Sequence, residues 1–442
     1  MTTGTVRVAH ARLIVAATAA AIAVVLLWLS KNYTFYFDEW TFILTAPDWT
    51  LVTYLEPHNV HPSMLFRLIY AGLLNTVGLR SYVPYMATLL LLHAVNVVLL
   101  FEVVRRRSGD LVAIAAAALL ALLGAGWENL LWAFQLAWLA SVALGLAMFL
   151  VLESPPRRST PAIVAGLATL SLMFSGVGAL FAVAAVVQLA ATRGRRRELL
   201  WMVPVAVAVA AWYIAFGHRG DTPDQPANAI NIALIPAYVA WGLGAAAAGL
   251  IGAGGWIGLV ALALAVAAVG WNWWRHGADP FALGVASGLL SFYLVAGFAR
   301  ASLGYEQSAA GRYVYEGALL WIILLADAGR HLPWRGTWRP ALVACVFLAC
   351  FNSTALLIEY AAAKTAQMQR EAADLQALDA ARNDPCLRTL TYPDPLVMPQ
   401  ISSPPLYYRA VDRYGDPAPS GPVTDAADYA RARTNLSHSG CR

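Results

Sequence analysis

The sequence predicts an all-α protein of the polytopic membrane class, built as a transmembrane helical bundle. Hydrophobic residues make up 60% of the 442 residues and charged residues 12%, and the mean hydropathy is +0.60. These values lie outside the usual range for a soluble domain. Several apolar runs have the roughly 17–25 residues with which a helix crosses a bilayer. The net charge of +5 comes mainly from arginines in short loops between these runs, which argues for membrane orientation and against nucleic-acid binding.

Hydropathy and turn signals together predict about 11 spans along the chain. They cover residues 11–30, 82–104, 111–125, 130–152, 161–174, 177–191, 199–217, 256–272, 281–298, 313–326 and 341–358. The runs at 161–174 and 177–191 are short for full crossings and suggest a compact hairpin. The run at 230–251 is ambiguous, because it contains Pro236 and many small residues.

Arginine placement decides how the ambiguous run at 230–251 is interpreted. If this run lies in the outer interface or is re-entrant, all the arginine-rich segments face the cytoplasm, as the positive-inside rule prefers. If it spans the membrane, the last two of these segments move outside. The segments are residues 105–107, 157–158, 193–197, 275 and 330–339. We therefore expect a multi-pass protein of the plasma membrane with a cytoplasmic N-terminus and an extracytoplasmic C-terminus.

The chain divides into a predicted membrane unit, residues 1–358, and a tail, residues 359–442. Residues 359–383 show the alternating charge of a helix, and the remainder is rich in Pro, Tyr, Asp and Ser. A segment of this size is marginal for an independent core, so we expect a small extracytoplasmic tail that leans on the membrane unit. Outside the cytoplasm, Cys386 and Cys441 could pair.

The first outer loop, residues 31–81, contains an adjacent acid pair, Asp38 and Glu39, just past the first span. At the depth of the lipid headgroups, partial desolvation and mutual repulsion raise the pKa of a carboxylate, which suits a proton acceptor near neutral pH. Alternatively, the pair is simply solvated or caps the short helix that follows. The aromatic residues around it also fit an interfacial belt.

Two histidines in the same loop, His58 and His61, have helical i, i+3 spacing. Together with Asp38 or Glu39 they could bind a divalent metal ion through nitrogen and oxygen ligands. The spacing is not diagnostic of a metal site, so we favour a structural or substrate-hydrogen-bonding role for the histidines.

Further candidates lie in the other outer loops. Glu128 is either a second acid that faces the first loop or a helix cap. Arg300 and Arg312 bracket a loop beside Tyr313, and an arginine fork suits a phosphate group because it binds bidentately and stays charged. Interfacial snorkelling is the alternative role for these arginines. Arg67 in the first loop has the same two interpretations.

Three common signatures of soluble active sites are absent from the sequence. It contains no GxxxxGK[ST] loop, no Rossmann glycine fingerprint after a strand and no GxSxG elbow. If the protein is an enzyme, we therefore do not expect its activated substrate to be a cytoplasmic nucleotide held in such a loop.

A first span, an Asp38-Glu39 pair in a long outer loop and a His61-Pro62 step into the next helix resemble the GT-C superfamily of membrane glycosyltransferases. Members include protein O-mannosyltransferases, the lipid A aminoarabinose transferase and actinobacterial arabinosyl- and mannosyltransferases. Glu128 matches by position an acid in the second outer loop of that family, and Arg312-Tyr313 is similar to its late Arg-Tyr step. The sequence departs from the family at the helix entry, which reads His-Pro-Ser-Met, and in its tail, which lacks a recognisable large domain.

The resemblance implies transfer of a sugar from a polyprenyl-phosphate donor to a hydroxyl of a cell-envelope glycan, lipid or protein on the outer face. Asp38 is then the candidate base, Glu39 a supporting acid or metal ligand, and Arg300 and Arg312 candidate phosphate clamps. One alternative is a transporter or flippase of a lipid-linked sugar, which predicts a repeat between two halves of the chain. Another is a non-catalytic membrane assembly subunit. We see no convincing repeat, and the ionisable residues cluster at outer ends, which favours the transferase over the flippase.

Overall fold

A computed structural model describes residues 8–220, 229–334, 336–418 and 425–438. Regular structure within these ranges is entirely helical, as the composition predicts. The larger helices are α1 (Ala11–Leu29), α2 (Asp38–Thr45), α3 (Met64–Thr76), α4 (Val83–Ala121), α5 (Glu128–Leu131), α6 (Leu136–Leu152), α7 (Thr160–Phe174), α8 (Gly178–Ala191), α9 (Met202–Ala215), α10 (Ala229–Gly249), α11 (Ile257–His276), α12 (Pro280–Arg300), α13 (Gly311–Ala328), α14 (Trp338–Ala380), α15 (Pro404–Tyr414) and α16 (Ala426–His438).

In the described ranges, eight helices are long and apolar enough to cross a membrane, and four shorter apolar helices accompany them. The shorter ones include α7 and α8, the hairpin that the sequence predicts. The second half of α4 is another, and it is separated from the first half at Gly109, which has φ 83° and ψ 175°. Glycine adopts this backbone conformation without the steric cost that a side chain would add. The chain therefore reverses there, which explains the two predicted spans within a single continuous run.

One end of the bundle gathers the arginine-rich loops. Arg107 donates to Glu153 at 2.6 Å and to Asp327 at 2.7 Å, and it also contacts Asp279. Arg330 donates to the same Asp279 at 2.8 Å. Four loops that are distant in sequence therefore meet through these ion pairs. Their meeting agrees with the prediction that the arginine-rich segments share one side of the membrane.

Helix α10 lies at the opposite end, which we call the acid-pair end because it carries Asp38 and Glu39. The Trp241 ring, just past the middle of α10, packs 5.2 Å from the Tyr305 ring in the loop after α12. Gly249, its last residue, lies against Val314 at the start of α13. A helix that crossed the bundle would place its halves at opposite ends. Both contacts come from the second half of α10, which is long enough to span, so the interfacial placement of residues 230–251 stays a prediction.

Helix α14 continues without interruption across the predicted boundary at residue 358. Its 43 residues extend about 65 Å, roughly twice the thickness of a bilayer core. The tail then returns to the first loop. The Tyr407 ring packs 5.6 Å from the Trp40 ring, and the Leu79 amide donates to the Tyr414 carbonyl at 2.9 Å. The tail thus leans on the loop that carries the acid pair, as its size predicts. Cys386 is disulfide-bonded, and Cys441 lies outside the described residues.

Candidate active site

Asp38 is the accessible member of the acid pair. It begins α2, and its side chain is 24% exposed, with a carboxylate oxygen 3.6 Å from His58 Nε2. His58 Nε2 is buried and has no hydrogen-bond partner in the described part of the chain. Phe37, just before the pair, has φ 51°, a conformation that an L-residue adopts at a cost and that is concentrated at functional sites. The His58 ring therefore faces the Asp38 carboxylate just beyond hydrogen-bonding distance, and that carboxylate stays partly open to solvent.

Glu39, in contrast, is fully buried. Its carboxyl accepts hydrogen bonds from the Tyr36 amide at 2.8 Å, the Tyr70 hydroxyl at 3.1 Å and the Tyr82 hydroxyl at 2.9 Å. Burial raises the pKa of Glu39 to about 8, against the opposing effect of these donors. Most Glu39 side chains are therefore protonated at neutral pH. The two adjacent acids occupy different environments, the condition under which paired carboxyls take different chemical roles.

The two histidines sit in one tight turn. The His58 amide donates to the His61 carbonyl and the His61 amide to the His58 carbonyl, each at 3.0 Å. The His61 ring packs 5.8 Å from the Trp138 ring. Burial, with a smaller contribution from the nearby Arg300 guanidinium, lowers the pKa of His61 to about 3. His61 is therefore a neutral hydrogen-bonding group at physiological pH.

The α7–α8 hairpin reaches this turn at Gly176. A Cβ at residue 176 would lie 2.6 Å from His61 Nδ1, closer than real Cβ contacts allow. Glycine is required at residue 176 because the backbone there approaches the His61 ring too closely for a side chain. The turn of the short hairpin thus packs directly against the His61 ring and holds it in position.

Arg312 is held by Glu128. Arg312 Nη1 donates to Glu128 Oε2 at 2.9 Å, and the Arg312 amide donates to the same oxygen at 3.3 Å. The Arg312 guanidinium lies 5.3 Å from the Tyr313 ring, and that ring is buried against Trp138. The buried Tyr313 ring therefore packs against the Arg312 guanidinium and helps to hold it in position. The structure brings the predicted second-loop acid and the predicted late arginine together as an ion pair.

Arg300 is a second arginine of the site, and its surroundings differ from those of Arg312. It lies close enough to His61 to lower the pKa of that ring. Within the described residues, no carboxylate lies within ion-pair distance of Arg300, in contrast to Arg312 with Glu128. An anionic ligand could therefore take the position of the missing carboxylate.

Arg67 has a different environment from the other candidates. Its side chain is 6% exposed, and its Nε donates to Ser63 Oγ at 3.1 Å. The guanidinium also stacks on aromatic rings, 4.6 Å from Phe42 and 5.3 Å from Trp49. These contacts engage Arg67 in holding the first loop together. Its predicted contact with substrate remains a prediction.

Lys364 is a residue of the site that the sequence interpretation missed. It belongs to the segment of alternating charge that is predicted as a helix at residues 359–383. Its side chain is nevertheless 4% exposed, and its Nζ lies 3.1 Å from the centroid of the Tyr36 ring. Its one described hydrogen bond goes to Gln367 at 3.3 Å. The i, i+7 spacing of Lys364 and Glu371 places both on one helical face. Both side chains are buried on that face, so their spacing is the feature of the sequence that could have indicated a buried position for Lys364.

No group of three or more His, Cys, Asp or Glu side chains among the described residues is arranged to hold a metal ion. Of the four predicted ligands, Asp38 and His58 approach each other, whereas the Glu39 carboxyl binds tyrosines. A divalent ion here would take most of its ligands from water or substrate phosphate, as Mg²⁺ commonly does.

The comparisons with known proteins concern the fold. No protein-family model and no curated protein sequence matches the chain. The structure is similar to the crystal structure of ArnT from Cupriavidus metallidurans bound to undecaprenyl phosphate, with a TM-score of 0.50 and 15% identity. The similarity covers 96% of this chain and 88% of the ArnT chain. ArnT is a GT-C aminoarabinose transferase.

The chain has the GT-C fold. The similarity confirms the fold that the resemblance implies, a multi-pass membrane architecture. At 15% identity, the likeness establishes the fold alone. The roles of individual residues rest on the geometry of this chain.

Proposed function

We propose that the protein is an integral membrane glycosyltransferase that moves a sugar from a polyprenyl-phosphate donor to an acceptor hydroxyl on the outer face of the plasma membrane. One observation carries the proposal: within a GT-C fold, the accessible carboxylate of Asp38 and the guanidinium of Arg300, which has no carboxylate partner among the described residues, both lie close enough to His61 to affect the pKa of its ring. ArnT, which shares the fold, is bound to undecaprenyl phosphate in its crystal structure.

Asp38 is the candidate base. It accepts the proton of the acceptor hydroxyl as that oxygen forms a bond to the anomeric carbon of the donor sugar. The bond between the anomeric carbon and the phosphate oxygen breaks, and its electron pair leaves with polyprenyl phosphate. General base catalysis of this kind contributes a rate factor of about 10² to 10⁴. Asp38 fits the role better than Glu39, because a carboxyl that is protonated at neutral pH cannot accept this proton.

Positive charge supports departure of the phosphate. Arg300 has no described carboxylate partner, so its guanidinium is available to a phosphate oxygen. Arg312 is oriented by Glu128 and keeps further N–H donors. Fixed cations aimed at developing negative charge stabilise a transition state without further reorganisation. Lys364 is enclosed beside Tyr36, near the same group of residues, and burial lowers its pKa to about 7, so only about half of the Lys364 side chains are charged at neutral pH.

Glu39 and His61 act as positioning and hydrogen-bonding groups. The Glu39 carboxyl joins the Tyr36 backbone to Tyr70 and Tyr82, so it anchors the start of α2 from which Asp38 projects. His61 is neutral and can hydrogen-bond a sugar or phosphate oxygen. The acceptor class among cell-envelope glycans, lipids and proteins is left open by these contacts.

Reconstitution tests the proposal. The full-length protein is placed in liposomes with radiolabelled polyprenyl-phosphate sugars and a cell-envelope extract as acceptor. We expect labelled sugar in an acceptor fraction and release of polyprenyl phosphate. Movement of donor between leaflets without product would indicate a flippase. The absence of both product and donor movement would indicate an assembly subunit. Either result contradicts the proposed transfer.

A further inference from the structure

A cleft opens at the acid-pair end, beside the Glu128–Arg312 pair. Its volume is about 480 Å³, within the range of roughly 300–1,000 Å³ for small-molecule sites. It lies between the turn before α5, the loop from α12 to α13, and α14. Its larger lining side chains are Trp127, Glu128, Tyr305, Glu306, Gln307 and Tyr360.

The charge of the cleft argues against binding of the donor phosphate there. Two carboxylates line it, Glu128 and Glu306, and its lining contains no lysine or arginine within the described residues. An anionic phosphate placed there would be repelled. The cations suited to phosphate, Arg300 and Lys364, lie outside its lining. The cleft therefore suits an uncharged ligand that donates hydrogen bonds.

The aromatic lining adds the second element of recognition. The Trp127 and Tyr360 rings stack with centroids 4.9 Å apart and planes 15° apart, which forms an extended aromatic wall beside the exposed Tyr305 ring. Aromatic faces carry a partial negative charge and attract polarised C–H groups. Glu306 and Gln307 are exposed at the same place, and they offer carboxylate and amide groups to hydroxyls. Aromatic walls combined with neutral and acidic hydrogen-bond acceptors match the alternating C–H and O–H groups of a sugar ring.

Glu128 connects the cleft to the candidate active site. Its carboxylate lines the cleft and also accepts hydrogen bonds from Arg312. Electrostatic effects of both Glu128 and Asp38 on the pKa of Tyr36 place these two acids near one tyrosine. A ligand in the cleft therefore has its inner end beside the groups assigned to transfer.

We propose that this cleft is the acceptor site and that the acceptor is an uncharged carbohydrate. The inference rests on the proposed transferase function and narrows it, since it selects a glycan over a protein or a bare lipid headgroup. The donor phosphate binds on the arginine side of the Glu128–Arg312 pair, and the acceptor sugar binds on the cleft side.

The test is a binding measurement that needs no turnover. Saturation-transfer NMR is recorded on the purified full-length protein with methyl glycosides of mannose, glucose, galactose and arabinose, and with glucose 1-phosphate as an anionic probe. We expect signals from at least one neutral glycoside and a weaker signal from the phosphate. Tyr360→Ala should weaken that binding about tenfold, since an aromatic contact of this type contributes roughly the 1.4 kcal/mol that equals a factor of ten.

Matched variants keep the result interpretable. Gln307→Ala, at an exposed position, should weaken binding about fivefold through the loss of one hydrogen bond. Tyr213→Ala removes an exposed tyrosine of α9 outside the cleft and should bind as the wild type does. The inference is overturned if no neutral glycoside gives a signal, or if Tyr360→Ala and Gln307→Ala both bind like the wild type. Transfer from polyprenyl-phosphate sugar, assayed in parallel, shows whether the proposed function survives that failure.

Discussion

The substitution Glu39→Gln separates the two members of the acid pair. Glutamine keeps the shape of a protonated glutamic acid: its carbonyl accepts from the Tyr36 amide and Tyr82, and its amide donates to the Tyr70 hydroxyl. Because the wild-type carboxyl is mostly protonated at neutral pH, we expect Glu39→Gln to fold normally and to retain turnover. Loss of turnover in this variant would place Glu39 in the proton transfer.

The same substitution changes how stability depends on pH. Burial raises the pKa of Glu39 from an ordinary value of 4.5 to about 8, so the folded protein holds a proton that the unfolded chain has lost. The wild-type free energy of unfolding therefore falls as pH rises from about 4.5 to about 8 and then levels off. A shift of this size corresponds to on the order of 5 kcal/mol. Glutamine does not titrate, so the variant lacks this loss.

Thermal unfolding in detergent, recorded between about pH 5 and pH 9, measures the difference. We expect nearly equal melting temperatures at about pH 5 and a variant that melts on the order of 5 °C or more above the wild type at about pH 8. Glu39→Ala is the control, because it leaves the Tyr36, Tyr70 and Tyr82 donors without their acceptor and should destabilise at every pH. A wild-type-to-glutamine difference that does not vary with pH would refute the assigned environment of Glu39.

Three further substitutions test the surrounding residues. Gly176→Ala should displace His61 and lower turnover about tenfold to a hundredfold. Gly166→Ala, in the same hairpin, has open space around the new methyl group and should leave turnover unchanged. Equal effects of the two substitutions would contradict the packing of Gly176 against His61. Lys364→Met removes an enclosed cation, so it should preserve or raise the melting temperature while turnover falls at least about tenfold. Unchanged turnover would exclude Lys364 from the site. Arg300→Gln should raise the donor KM about tenfold or more without changing the melting temperature, and an unchanged donor KM would remove Arg300 from phosphate binding.

The sequence predicted the fold class because two physical quantities determine it. Helix length against bilayer thickness identifies the spans, and arginine placement gives the topology. With alternate loops at alternate ends, the loops that carry Asp38, Glu128, Arg300 and Arg312 had to share one end. The structure places them there, and it pairs Arg312 with Glu128.

The parts that could not be predicted depend on contacts between distant segments. Asp38 and Glu39 are neighbours in the chain, and their difference arises from Tyr70 and Tyr82, which bury one of them. Lys364 resembles a solvated charge until the tail helix is packed beside Tyr36. No local pattern contains either relationship.

The central claim is that Asp38 accepts the proton of the acceptor. The direct measurement is single-turnover transfer by Asp38→Asn in liposomes, compared with Asp48→Asn, which alters a 65% exposed carboxylate of the same loop that pairs with Arg409. We predict that Asp38→Asn lowers the rate by about 10² to 10⁴ with donor binding and melting temperature unchanged, and that Asp48→Asn transfers at the wild-type rate. A wild-type rate in Asp38→Asn would contradict the assignment of Asp38 as the base.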